Sequence, residues 1–275
     1  MKSTSFTAIG TTFVRSVFKN NKCDDYLANS FLLAPLTFLS VFLRRIALLR
    51  KLFIKIVNKI DPGILEYLSC RNGFMDEALE LAITKGFKQI VVLGAGYDSR
   101  AIRFSREHVR FFEVDHPNTQ SKKNKKLYRE HKNNTQFVSV DFAKEDLEEK
   151  LLSSGFDPTI DSFFIWEGVT MFLTKESVIK TLRSLKKLSH GKGELVVDFL
   201  YPKSKRAGTK CTAANSVGEP CTFTLDPTDL PFLVSEPGWS VNHIVETEEL
   251  RKKYGSVKEL SSEPIKPMSY IARLK

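Results

Sequence analysis

From residue 63 onward, short runs of β-branched and aromatic residues alternate with segments of helical period, and this alternation restricts the chain to few folds. The runs are "QIVVLGAG", "VRFFEVD", "TQFVSVD", "IDSFFIWEG" and "GELVVDFLY". Helical patterns separate them: over "EALELAITKG", near 99–106, a lysine-rich one from Pro117, an acidic one over 144–153 and another over 175–189. Near-continuous apolar runs suit strands covered on both faces, and strands that return through helices lie parallel. The pattern predicts an α/β, doubly wound, mostly parallel sheet. Two further strand patterns, "GWSVNHIVET" and "MSYIARLK", are expected to complete seven strands as an antiparallel edge hairpin.

In such a sheet ligands bind beyond the carboxyl ends of the strands. The first run ends in Gly94-Ala95-Gly96, where missing side chains allow a tight turn and close approach of a ligand. Ser99 replaces the third glycine of a dinucleotide fingerprint, and Asp98 sits where a pyrophosphate would be repelled. A ligand without phosphates is favoured, and S-adenosylmethionine, a cationic nucleoside, fits. The second run ends in Asp115, 19 residues after Gly96, the spacing of a carboxylate that accepts ribose hydroxyls. The third ends in Asp141-Phe142, suited to the adenine amino group and ring, and the fourth in Glu167. Asp115 and Asp141 could equally cap the helices that follow. Their repetition at successive strand ends favours a site, with a cationic ligand as counterion for three carboxylates.

Residues 36–60 alternate leucine, isoleucine and phenylalanine with Arg44, Arg45, Arg50, Lys51, Lys55 and Lys59, as in one basic amphipathic helix stopped by Asp61-Pro62-Gly63. It either docks as a cap with its cations in solvent or lies on an anionic membrane surface. The cap is preferred, placing 1–62 as an N-terminal helical cap and 63–275 as the catalytic domain. Leu39, Phe42, Leu43, Ile46, Leu49 and Phe53 would then wall an apolar acceptor pocket. Residues 202–235 are polar and long for a connection, and are expected to form a loop or lid insertion. The longest apolar stretch, "FLLAPLTFLSVFL", is too short to span a bilayer, and the N-terminus lacks the apolar core of a signal peptide. Four scattered cysteines without zinc-ligand spacing point to a reduced, cytoplasmic, metal-free protein.

Together, "CRNGFMDEAL", "VVLGAGYDSR", "FFEVDHP" before a lysine-rich helix, "VSVDF" and "FIWEGVTMFL" resemble the leucine carboxyl methyltransferase-like family of S-adenosylmethionine-dependent methyltransferases. The resemblance runs over roughly residues 60–200. It implies a class I, Rossmann-like methyltransferase fold and S-adenosyl-L-methionine contacts at Arg71, Gly94, Asp115, Asp141, Phe142 and Glu167, with Ala95 and Gly96 completing the turn. Arg71 would meet the methionyl carboxylate, whose geometry matches a guanidinium fork.

The expected reaction is O-methylation of a carboxylate or hydroxyl on a small-molecule or peptide acceptor, anionic or apolar. No catalytic base is identified: His116 lies on the ribose side, so a carboxylate acceptor, which needs no base, is preferred. The formal charge of +10 and lysines 122, 123, 125, 126 and 132 raise RNA methylation as an alternative. The absence of an RNA-binding module and of interleaved aromatics beyond Tyr128 makes a solvated helix face the better reading. A membrane-surface protein using 36–60 and keeping a vestigial cofactor site is the other alternative.

Overall fold

A computed structural model describes residues 6–19, 23–126, 134–142, 144–190, 193–202, 214, 218–255 and 268–275. The five apolar runs form β1 (Gln89–Leu93), β2 (Arg110–Asp115), β3 (Thr135–Ser139), β4 (Ser162–Trp166) and β5 (Gly193–Leu200), all mutually parallel. β6 (Val241–Val245) and β7 (Ser269–Leu274) complete the order β3-β2-β1-β4-β5-β7-β6. β7 runs antiparallel to both neighbours. All residues of β1 and β4 are buried, which explains why each is apolar after its first residue.

Alternate residues serve opposite faces. Val91, Leu93, Phe164 and Trp166 pack in one core cluster, while Ile90, Val92, Phe163 and Ile165 pack in another. Helices α1 (Phe6–Val17), α2 (Ala34–Arg45), α3 (Ala47–Ile60) and α4 (Ile64–Thr84) precede the sheet. Between the strands lie α5 (Arg100–Arg103), α6 (Pro117–Lys126), α7 (Leu147–Ser153) and α8 (Lys175–Leu188). Two last helices follow, α9 (Leu230–Ser235) and α10 (Thr247–Tyr254). Strand order reverses around β1, with β2 on one side and β4 on the other, creating a crevice at their carboxyl ends.

The single helix expected over 36–60 is two helices. Ile46 adopts an extended conformation between them, and the Arg50 guanidinium donates to the carbonyls of Leu43 and Arg44 that end α2. The break lets Leu43 and Ile54 both reach a small core shared with Phe13, Val14 and Leu65. It also leaves Leu39, Phe42, Ile46 and Leu49 exposed, so the expected apolar wall over the acceptor is absent from these helices. Of the lysine-rich segment, Lys123 is buried and donates to Glu113 at 2.5 Å, and Lys126 donates to the carbonyls of Phe31 and Leu32. Two lysines read as solvated are therefore structural, while Lys132 lies outside the described residues. Among the described residues no helix is long and apolar enough to cross a membrane.

Candidate active site

Register aligns Leu93 with Val114 and Trp166, so the next residues, Gly94, Asp115 and Glu167, meet at one end of the sheet. There a cavity of about 480 Å³ opens. All eight residues marked by sequence and resemblance line it: Arg71, Gly94, Ala95, Gly96, Asp115, Asp141, Phe142 and Glu167. Its size falls in the usual range for small-molecule sites.

The glycine turn is sterically defined. Gly94 and Gly96 have φ of +64° and +49°, and a Cβ on Gly94 would lie 2.1 Å from Val169 Cγ2. The Gly96 N–H donates to Asp115 Oδ2, and the His116 N–H donates to Oδ1 at 2.5 Å. Asp115 therefore braces the turn rather than capping α6. Burial raises its pKa, opposed by these two N–H donors. Asp141 does not cap α7 either. That helix starts later than expected, at Leu147, and its N-cap is Asp146, whose side chain accepts from Glu149 N–H.

Glu167 and Arg71 belong to a buried ionic network. Arg71, on α4, lies 2.9 Å from Glu167 through Nε and 2.7 Å from Asp198 through Nη1. The Asp198 Oδ1 accepts from Gly168 N–H, whose positive φ of +69° brings the main chain close to the guanidinium. Arg100 is wholly buried and binds Asp76 at 2.7 Å, Asp98 at 2.5 Å and Glu167 at 2.7 Å. Burial alone would raise the pKa of Glu167, but Arg100 and Arg71 hold it below the usual range. Burial acts likewise on Asp98, and Arg100 first, with Arg15, Lys123 and the main-chain N–H of residue 100, more than offsets it.

These pairs correct two sequence arguments. Asp98 is neutralised by Arg100, so it does not by itself repel a phosphate. Glu167 has two guanidinium partners, which it shares with Asp76, Asp98 and Asp198, so a cationic ligand is not its sole counterion. The residues missed at the sequence level are Arg100 and Asp198. A carboxylate within the apolar run "GELVVDFLY" was the available signal for the second, because a buried acid requires a partner.

Helix α1 also forms part of the site. Its Thr7, Ala8, Thr11 and Arg15 line the cavity, and a Cβ on Gly96 would lie 3.2 Å from Ala8 Cβ. Arg15 Nη2 donates to Tyr97 O at 2.7 Å. The helix start is held by Glu219, which accepts from Phe6 N–H at 3.1 Å and from Thr7 N–H at 3.3 Å. Gly218, Glu219, Pro220 and Thr222 add to the cavity lining; within the expected insertion, 203–213 and 215–217 lie outside the described residues. Val169, Phe172 and Leu173 extend its apolar lining beyond Leu93, Val140 and Phe142.

Sheet order, glycine turn and acidic strand ends define a class I, Rossmann-like methyltransferase fold. The chain belongs to the leucine carboxyl methyltransferase family, which matches residues 8–186. SCO7813 of Streptomyces coelicolor, provisionally named an S-adenosyl-L-methionine-dependent methyltransferase, is 38% identical over 113 residues, 39% of each chain. Franean1_4929 of Parafrankia, with the same provisional name, is 33% identical over 127 residues, 45% of this chain and 41% of that one. The chain thus spans less than half the length of these curated relatives. The solved structure of the CcbJ methyltransferase from Streptomyces caelestis overlaps 72% of this chain and 87% of its own, at 16% identity and a TM-score of 0.49.

Proposed function

We propose that the chain binds S-adenosyl-L-methionine in this cavity and transfers a methyl group to a carboxylate or hydroxyl oxygen of a small-molecule or peptide acceptor. The observation that carries this reading is the convergence of all eight marked residues on one cavity at the point where strand order reverses. The residues present fit the cofactor. Gly94 leaves a cradle that a side chain would fill, and each oxygen of Asp115 accepts one main-chain N–H, leaving acceptor capacity for ribose hydroxyls. Asp141 and Phe142 would receive the adenine amino group and ring. Glu167 would attract the methionyl ammonium, and Arg71, oriented by Glu167 and Asp198, would take the carboxylate.

Bound there, the cofactor supplies an electrophilic methyl group on a sulfonium. The chain's own task is to align the acceptor oxygen and exclude water. Helix α1 and Gly218–Thr222 would do both from the cavity wall. In this reading 1–62 is a helical cap, 63–275 the methyltransferase unit and 202–235 its insertion. A carboxylate acceptor is preferred because it is ionised at neutral pH and needs no base. His116, whose side chain accepts from Asn118 N–H through Nδ1, lines the cavity beside Asp115, on the expected ribose side.

Calorimetry is expected to show saturable binding of S-adenosylmethionine or S-adenosylhomocysteine in the micromolar range, about −8 kcal/mol, and none of NADH. NADH binding without an adenosylmethionine signal overturns the reading. Asp115→Ala is expected to weaken cofactor binding by about 1–3 kcal/mol, the cost of losing a charged hydrogen-bond partner. Unchanged affinity in that variant would leave Asp115 as a brace alone. Product chemistry separates the acceptors: a methyl ester releases methanol in mild base, whereas a methyl ether does not.

A further inference from the structure

No acidic residue occurs between Asp25 and Asp61, although this stretch carries six cations. Two of them serve the fold or a local ion pair: Arg50 bonds the carbonyls that end α2, and Arg44 lies 3.8 Å from Asp24. Arg45, Lys51, Lys55 and Lys59 are exposed. On α3, Leu48, Leu52, Ile56 and Ile60 recur at every fourth residue, and all are more than half exposed, Leu48 reaching 77%. Each of the last three follows directly on a lysine. The opposite face of α3, with Ile54 and Phe53, packs on the rest of the protein. Helix α2 adds Phe38 and Phe42, also more than half exposed.

A helix that buries one face in its own protein and presents apolar side chains beside lysines on the other matches an interfacial helix, not a solvated one. We propose that the α2–α3 hairpin docks the protein on an anionic lipid bilayer, with the apolar row of α3 entering the headgroup boundary and Lys51, Lys55 and Lys59 meeting lipid phosphates. Charge decides against a second copy as the occupant, because pairing two such faces would oppose like cations without intervening carboxylates. Helix α2 packs on α1, whose Thr7, Ala8, Thr11 and Arg15 line the cavity, so a docked hairpin sets the site one helix away from the membrane.

The test is co-sedimentation of the full chain with phosphatidylcholine vesicles, with and without phosphatidylglycerol. The chain is expected to pellet with the mixed vesicles, and high salt should lower its affinity at least about tenfold. Lys51→Glu/Lys55→Glu/Lys59→Glu and, separately, Leu48→Ser/Leu52→Ser/Ile56→Ser are each expected to lower it at least about tenfold. Both variants should keep the wild-type melting temperature and adenosylmethionine affinity, since these residues are exposed and none lines the cavity. Protein remaining in the supernatant with both vesicle types overturns the proposal. So does a dimer that the serine variant dissolves while vesicles capture no wild-type protein.

Discussion

Arg100→Leu is expected to destabilise the protein by about 3–5 kcal/mol, the range for breaking a buried ion pair from one side. Asp76 retains Arg103, at 2.5 and 3.0 Å, and Glu167 retains Arg71. Asp98 is left, among the described residues, with one main-chain N–H donor, that of residue 100 at 2.6 Å. It is the group that loses most, keeping only that donor and the charges of Arg15 and Lys123 against its burial. Urea unfolding measures the loss, and Asp98→Asn in the same background should recover part of it by removing the unpaired charge. A loss under about 1 kcal/mol would show that solvent or rearrangement satisfies the carboxylates.

The same substitution has a pH signature. In the native protein, Asp98 and Glu167 have pKa values below their unfolded ones despite burial, because Arg100 stands beside both, joined by Arg15 and Lys123 at Asp98 and by Arg71 at Glu167. Their contribution is therefore present above the unfolded carboxylate values, near 4, and is lost as pH falls through the depressed folded ones. Without Arg100, burial loses its largest opponent and the pKa of Asp98 moves upward, so the stabilisation that its ionised form supplies shrinks. The deficit of Arg100→Leu is expected to be largest at neutral pH and to shrink as pH falls towards 4. A deficit independent of pH would assign it to lost packing.

Gly94→Ala is expected to cost about 2–5 kcal/mol, from two separable causes. The left-handed conformation, at φ +64°, costs a residue with a Cβ about 1–2 kcal/mol. Forcing that Cβ against Val169 Cγ2 adds about 1–3 kcal/mol of overpacking. Val169→Ala in the same chain removes the atom in collision and should return the second part only. Cofactor affinity should follow the same order, since Gly94 and Val169 both line the cavity. If the double variant is no more stable than Gly94→Ala, the turn itself carries the whole cost.

The strands were legible because burial on both faces leaves a direct mark on the chain: β1 and β4 are apolar at every position but their first, where Gln89 and Ser162 bond to each other at 3.2 Å. The glycine turn and the carboxylates after β2, β3 and β4 were legible for a related reason. Each is a local feature whose position relative to its strand places it at the crevice. Arg71 needed the family resemblance, because nothing about an arginine inside a helix marks it as buried. The division of 36–60 was not legible: the helical period carries through Ile46, and the break arises from contacts made on both sides of it.

The sequence by itself determined the alternation of elements, the parallel sheet and the acidic character of its carboxyl end, because periodicity and turn chemistry act over a few residues. Only the tertiary structure decided which charges pair. Arg100 meets Asp76 and Glu167 from 24 and 67 residues away, Arg71 meets Asp198 from 127, and Glu219 holds the start of α1 from more than two hundred. Local pattern records whether a side chain is buried, whereas its partner depends on strand order. Here the reversal around β1 sets β4 against it across 73 residues of chain, and that single topological step assembles the cavity and the ionic network beneath it.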